Sequence, residues 1–230
     1  MTEVEKEALR GLALRRLREM IANCQLAPGA WVTEKQLSDA TGLGLTPVRS
    51  AMTTLRHDGF LIATPRVGYR VAPMTLADVA DLFDVWAVVG RAIIERAVER
   101  ATPEEVAEFQ RAHDREAWAE HFPSGDADVT DWTYGIFSSI VGMAHSQRLT
   151  AIYDRYSVDL SRVLVIANRA GTEMGEALRA QDGNLLRSMR ERNPQWAIEG
   201  FDIVTETVRR LALGVLQSAP GIADAPLRLS

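Results

Sequence analysis

Apolar residues recur at helical spacing through Leu9, Ala13, Leu17, Met20 and Ile21, with Arg10, Arg15, Arg16 and Arg18 between them. This pattern predicts an amphipathic first helix. Pro28 and Gly29 interrupt it, and the short apolar run at residues 30–32 has the character of a strand edge. Thr33 followed by Gln36 has capping-box spacing, so a second helix is expected over about 34–41, stopped by the Gly42-Leu43-Gly44 segment. Thr46 is expected to cap a third helix with Pro47 at its first position, where a missing N–H costs nothing, and Gly59 to end it. Residues 60–71 then alternate apolar and polar side chains around a Pro-Arg-Val-Gly turn, the signature of a hairpin with basic residues at its tip. Helix, helix, tight turn, helix and hairpin in that order form a winged helix-turn-helix.

From Pro73 the pattern changes to helix after helix. Thr75 with Asp78 precedes Leu82, Val85, Trp86, Val89 and Ile93 at helical spacing, and Thr102-Pro103-Glu104-Glu105 is a complete helix start. The segment "FPSGDADVTD" is expected to be a loop. Helical periodicity resumes over 132–141, 152–166, 174–180 and 185–189, and Asn193-Pro194 opens a long final helix through Trp196, Phe201, Val204, Val208 and Leu211. Helices this apolar must bury one another. The expected fold is mainly α: a winged helix-turn-helix with a small β-hairpin wing over 1–74, an all-α bundle over 75–216 and a loose tail over 217–230.

Charge divides along the same boundary. Residues 1–75 hold 10 Lys and Arg against 7 Asp and Glu, a balance of +3, whereas residues 76–230 hold 16 against 24, a balance of −8. A basic front points to an anionic partner such as double-stranded DNA. On the third helix Val48, Ala51, Met52 and Leu55 share one face, to be buried against the first two helices, while Arg49, Ser50, Thr53 and Arg56 fall mostly on the other. In this motif that second face enters the major groove, where arginine reads guanine and hydroxyls reach bases or phosphates.

Other function classes find little support. The single cysteine, Cys24, has no disulfide partner, and no apolar run is long enough to span a bilayer. A cytoplasmic protein with no membrane partner is expected. No nucleophile elbow, phosphate loop or zinc-protease motif is present, so no enzyme activity is expected. His57, His113, His121 and His145 include no pair three or four residues apart, which argues against a metal site.

The stretch "LAPGAWVTEKQLSDATGLGLTPVRSAMTTLRHDGFLIATPRVGYRVAP", followed by "DLFDVW" and "ERAVERAT", resembles the GntR transcription regulators of the FadR subgroup, whose effector domain is an all-helical FCD domain. The resemblance implies a homodimeric, ligand-responsive regulator, expected to act as a repressor on a short inverted repeat. Matching positions carry DNA contact over to Lys35, Thr46, Arg49, Arg66 and Gly68; Ser50 and Thr53 join them on helix geometry. Gly44-Leu45 replaces the Ser/Thr-Arg pair that the family places before Thr-Pro-Val-Arg, which removes one groove-facing cation. The alternative is therefore a helical small-molecule-binding or interaction module with a degenerate DNA-binding head.

Many FCD domains hold a divalent metal through an aspartate and three histidines. At those positions this chain has Tyr134, Ser138, Gly171 and Arg192 or Asn193, and Trp86 replaces an arginine of the first effector helix. No metal or other cofactor is expected. The small-molecule effector, of unknown identity, is expected to be held by aromatic and neutral polar groups, with Trp86, Tyr134, Ser138, His145 and Arg162 as the candidate pocket residues.

Overall fold

The structure, a computed structural model, describes residues 2–65, 68–112, 126–171 and 173–218. The chain divides into two compact units, one built mainly from residues 1–75 and the other from residues 76–217.

In the first unit, α1 (Glu3–Ala22) starts at a reciprocal cap: the Thr2 hydroxyl accepts from the Glu5 amide and the Glu5 carboxylate accepts from the Thr2 amide. β1 (Trp31–Val32), α2 (Glu34–Thr41), α3 (Leu45–His57), β2 (Leu61–Thr64) and β3 (Gly68–Val71) follow. The expected capping box at α2 forms, Thr33 Oγ1 accepting from Gln36 N at 3.2 Å while Gln36 Oε1 accepts from Thr33 N at 2.9 Å. The strands make an antiparallel sheet in the order β1-β3-β2, with Val32 opposite Tyr69 and Thr64 opposite Gly68. Ala13, Leu17 and Ile21 of α1 and Val48, Ala51, Met52 and Leu55 of α3 are all buried and make the core of this unit. Arg18 of α1 fastens the far end of α3 through Asp58 at 2.9 Å.

The start of α3 differs from expectation. Gly44, not Thr46, is the N-cap, and no side chain caps the helix; Thr46 and Pro47 already lie inside the first turn. Pro47 is tolerated there because none of the first four helical amides has an intrahelical acceptor, so its missing N–H forfeits no bond.

The second unit contains α4 (Leu76–Arg100), α5 (Pro103–Ala112), α6 (Asp126–Met143), α7 (Gln147–Asn168), α8 (Glu173–Glu191) and α9 (Gln195–Ser218). Thr102 and Glu105 cap α5 reciprocally. Part of the segment expected to be a loop is helical, since α6 already begins at Asp126. The two stretches of periodicity over 174–180 and 185–189 belong to one helix, α8, which runs through Gly183; an isolated helical glycine costs only about 1 kcal/mol relative to alanine. At the other end α9 extends through Gln217 and Ser218, two residues into the expected tail. Among the described residues no helix is long and apolar enough to cross a membrane.

An aromatic cluster occupies the bundle interior. The Trp86 ring lies 4.7 Å from that of Phe137, 6.1 Å from Tyr153 and 5.9 Å from Phe201, centroid to centroid. Gly90, one turn along α4 from Trp86, makes room for Phe201: a Cβ at position 90 would stand 2.2 Å from Phe201 Cζ. Gly90→Ala is therefore expected to destabilise the bundle by about 1–3 kcal/mol despite alanine's better helix propensity. Denaturant unfolding of Gly90→Ala, Phe201→Leu and the double variant checks this; the double variant should be more stable than the sum of the single losses, because the smaller side chain relieves the clash.

Candidate nucleic-acid interface and ligand cavity

The outer face of α3 is built around Arg49. Its Nε donates to both Glu34 carboxylate oxygens at 2.9 Å, and its Nη2 donates to Glu34 Oε2 at 2.6 Å. Glu34 is the first residue of α2, and the tight turn between the helices brings it beside the middle of α3. Side-on pairing uses the Nε and Nη2 edge of the guanidinium, and Glu34 does not engage the Nη1 side of the fork. Arg49 remains 63% exposed in its side chain. Hydrogen bonding to Arg49 holds the Glu34 carboxyl below the usual carboxylate range, and the same bond raises Arg49. The pair therefore persists through neutral pH and is lost only as pH falls through the lowered value of Glu34.

The remaining nominated residues of this face divide by what their atoms are free to do. Lys35, Thr46 and Thr53 are exposed and Ser50 is half-buried. Thr53 donates its hydroxyl hydrogen to the Arg49 carbonyl at 3.0 Å, which leaves it to act outward as an acceptor or through its methyl group. Gly68, at the start of β3, has φ of +130°, and a Cβ there would sit 3.1 Å from the Val32 carbonyl oxygen, so the fold itself requires glycine at this position. Arg66 lies outside the described residues. Leu45, the first residue of α3, is 48% exposed and adds an apolar side chain to an otherwise polar face.

In the bundle a cavity of about 380 Å³ opens between α4, α5, α6, α8 and α9. Ile94, Phe109, Ile136, Leu178 and Val204 supply much of its apolar wall, and Gln110, Thr133, Gln181 and Asn184 supply its polar groups. A smaller cavity of about 70 Å³, lined by Trp86 and Tyr153, shares Thr133, Phe137, Phe201 and Val204 with it. Asn184 Nδ2 donates to Gln181 Oε1 at 2.7 Å. Gly200 of α9 closes on this pair: a Cβ there would lie 3.1 Å from Gln181 Oε1 and 3.3 Å from Gln181 Cβ.

Of the five residues nominated for the pocket, Trp86 reaches a cavity wall, that of the smaller space. Ser138 is exposed on α6 and lines neither cavity, because one residue along a helix turns about 100° away from the cavity-facing Phe137. His145 is exposed in a turn with φ of +45°, where its Nε2 meets the Glu105 carboxylate at 3.1 Å; it too lines neither cavity. Arg162 is 2% exposed, donates to Asp159 Oδ1 at 3.0 Å and is absent from both walls. The Tyr134 side chain lies outside the described residues. Helical periodicity missed Gln181 and Asn184, which lie between the apolar stretches over 174–180 and 185–189. Gly200 was the available signal, since a glycine inside an apolar helix marks a close approach.

Two of the positions that the family resemblance assigns to metal ligands hold residues of other kinds. Gly171 has no side chain, and Arg192 donates through Nη1 to the Val98 carbonyl at 2.8 Å and through Nη2 to the Ala101 carbonyl at 2.7 Å, closing the end of α4. Among the described residues no three His, Cys, Asp or Glu side chains gather where they could hold a metal ion.

Residues 10–71 match the family model described as bacterial regulatory proteins, gntR family, and residues 81–200 match that of the FCD domain. An uncharacterized HTH-type transcriptional regulator of Bacillus subtilis, YdhC, is 23% identical over 181 residues, covering 79% of this chain and 80% of its own. An HTH-type regulator from an unstable DNA locus of Streptomyces ambofaciens is 36% identical over 66 residues, 29% of this chain and 28% of its own. Among solved structures, E. coli McbR/YncC superposes with a TM-score of 0.77 at 18% identity, covering 95% of this chain and 99% of that one. A GntR-type putative regulator from Rhodococcus sp. RHA1 gives a TM-score of 0.59 at 18% identity over 92% and 98% of the two chains, a likeness of fold. With a winged helix-turn-helix in front and an FCD domain behind, the chain belongs to the GntR family and is a ligand-responsive, DNA-binding transcription regulator.

Proposed function

We propose that this regulator works in the cytoplasm as a homodimeric repressor whose two α3 helices each take one half-site of a short inverted repeat. Ligand binding in the bundle weakens that grip, and by linkage DNA weakens ligand binding by the same factor. The observation that carries base readout is the side-on pairing of Arg49 with Glu34. It aims a guanidinium outward from the middle of α3 with its other edge available for guanine or phosphate, so less side-chain freedom is lost on binding.

Selection of bound fragments from a random duplex pool tests the proposal: an enriched inverted repeat is expected, and recovery of unrelated sequences only would overturn it. Arg49→Ala should lower affinity for the selected repeat by roughly tenfold to a hundredfold per half-site, the usual loss for a bidentate base contact, with a smaller loss of binding to random DNA from the missing cation. Glu34→Gln should separate the two effects. Freed from its partner, Arg49 loses its fixed aim and specific affinity falls, while removal of a negative charge beside the phosphates raises binding to random DNA. A gel-shift comparison of the two DNAs at one salt concentration reads both.

Leu45 sets a second expectation. An exposed apolar side chain at the start of α3 suits the 5-methyl group of thymine where an arginine would read guanine. Repeats selected by the unaltered protein should carry an A·T pair at the base facing this residue, and those selected by Leu45→Arg should shift to G·C there.

A further inference from the structure

We propose that the larger bundle cavity binds an uncharged, mainly apolar small molecule bearing an amide-like edge, a hydrogen-bond acceptor beside a donor, and that it does so without a metal ion. The proposal rests on the assignment of the bundle as the ligand-responsive part of the protein.

Three features carry it. The first is the wall. Its volume of about 380 Å³ falls in the range of small-molecule sites, and the side chains lining it are predominantly apolar. The described residues of that wall include no Asp, Glu, Lys, Arg or His. A carboxylate placed there would surrender its hydration and meet no compensating charge among them.

The second feature is the paired amides. Asn184 and Gln181 stand one turn apart on α8, and the bond from Asn184 Nδ2 to Gln181 Oε1 orients both. That bond leaves Gln181 Nε2 as a donor and Asn184 Oδ1 as an acceptor, the complement of an amide, lactam or imide edge. Gly200 presses α9 against the Gln181 side chain and limits its rotation. Gln110 differs, because its oxygen is held by Arg190 at the exposed side.

The third feature is the fate of the metal-ligand positions. Gly171 offers no side-chain donor, and Arg192 is a cation spent on the carbonyls of Val98 and of Ala101, just past the end of α4. Ser138 is exposed on α6 and absent from the cavity wall. Among the described residues these positions do not fit a divalent ion, so a ligand carboxylate finds no metal site formed by them.

The experiment uses the full chain and an isosteric pair of probes, naphthalene-2-carboxamide and naphthalene-2-carboxylate, titrated by calorimetry at neutral pH with and without added zinc or nickel. The amide is expected to bind about tenfold or more tightly than the carboxylate, with neither affinity changed by metal. Asn184→Leu should bring the two affinities together by weakening the amide, while the naphthalene core still binds. Tighter carboxylate binding, binding that requires metal, or binding of neither probe would each overturn the proposal, as would an amide preference untouched by Asn184→Leu. Calorimetry needs no DNA. Amide binding by a protein that selects no operator would therefore leave this proposal standing and overturn the regulatory one.

Discussion

The bundle depends on the seating of Phe201 against Gly90. A ring can lie over α4 only where that helix has no side chain, and even a methyl group at position 90 would collide with it. Seated there, Phe201 completes the cluster with Trp86, Phe137 and Tyr153 at centroid separations of 4.7 to 6.3 Å, within the range of favourable aromatic pairs. The same ring is a wall shared by both cavities. Its neighbour Gly200 opens α9 toward Gln181 of α8. Two successive residues thus fix α9 against two helices, and the cavity is the space left where neither contact lets the backbone close in.

Polar groups in the two units serve geometry more than stability. An exposed ion pair such as Arg49–Glu34 contributes little to folding, because water screens it and two long side chains lose freedom. Its consequence is directional: one edge of the guanidinium is held and the other faces outward. Asn184 and Gln181 repeat the device without charge, one amide satisfying half of another and so exposing a defined donor and acceptor. Charge suits a phosphate-lined partner, and neutrality suits an apolar cavity. Under the proposed function, Glu34 and Gln181 set what each site can recognise.

Much of the head was legible in the sequence because its signals are local. The Thr33–Gln36 cap, the break at Gly42 and the antiparallel pairing of β2 with β3 each span a few residues and are present as expected. Thr46 misled because a residue suited to capping lay within the first turn of a helix that Gly44 had already begun. The partner of Arg49 was hidden for a different reason: Glu34 is fifteen residues away and only the turn between α2 and α3 unites them. In the bundle the helices were visible and their facing was not. Family position led to Ser138, one residue from the cavity-lining Phe137, and the choice of a polar group on a helix face led to His145, which a left-handed turn directs to Glu105. Periodicity sorts apolar from polar faces, so it cannot reveal a cavity whose specific groups are themselves polar.

Ligand response places a further demand on this architecture. A ligand shifts an equilibrium only by the difference in its affinity for the two states, and moving a population from one per cent to ninety-nine needs a difference of about 10⁴-fold. Apolar contacts that are equal in both states add affinity and no response. The groups able to supply a difference are those whose position a ligand can change, and Phe137 and Phe201 qualify because each faces the larger cavity on one side and a 70 Å³ space on the other. A ligand that presses either ring toward the smaller space would also press on Trp86 and, through Phe201, on the contact at Gly90 that sets α9 against α4. Under the proposed mechanism the amide edge selects the ligand, and the aromatic partition converts its presence into a change of helix packing.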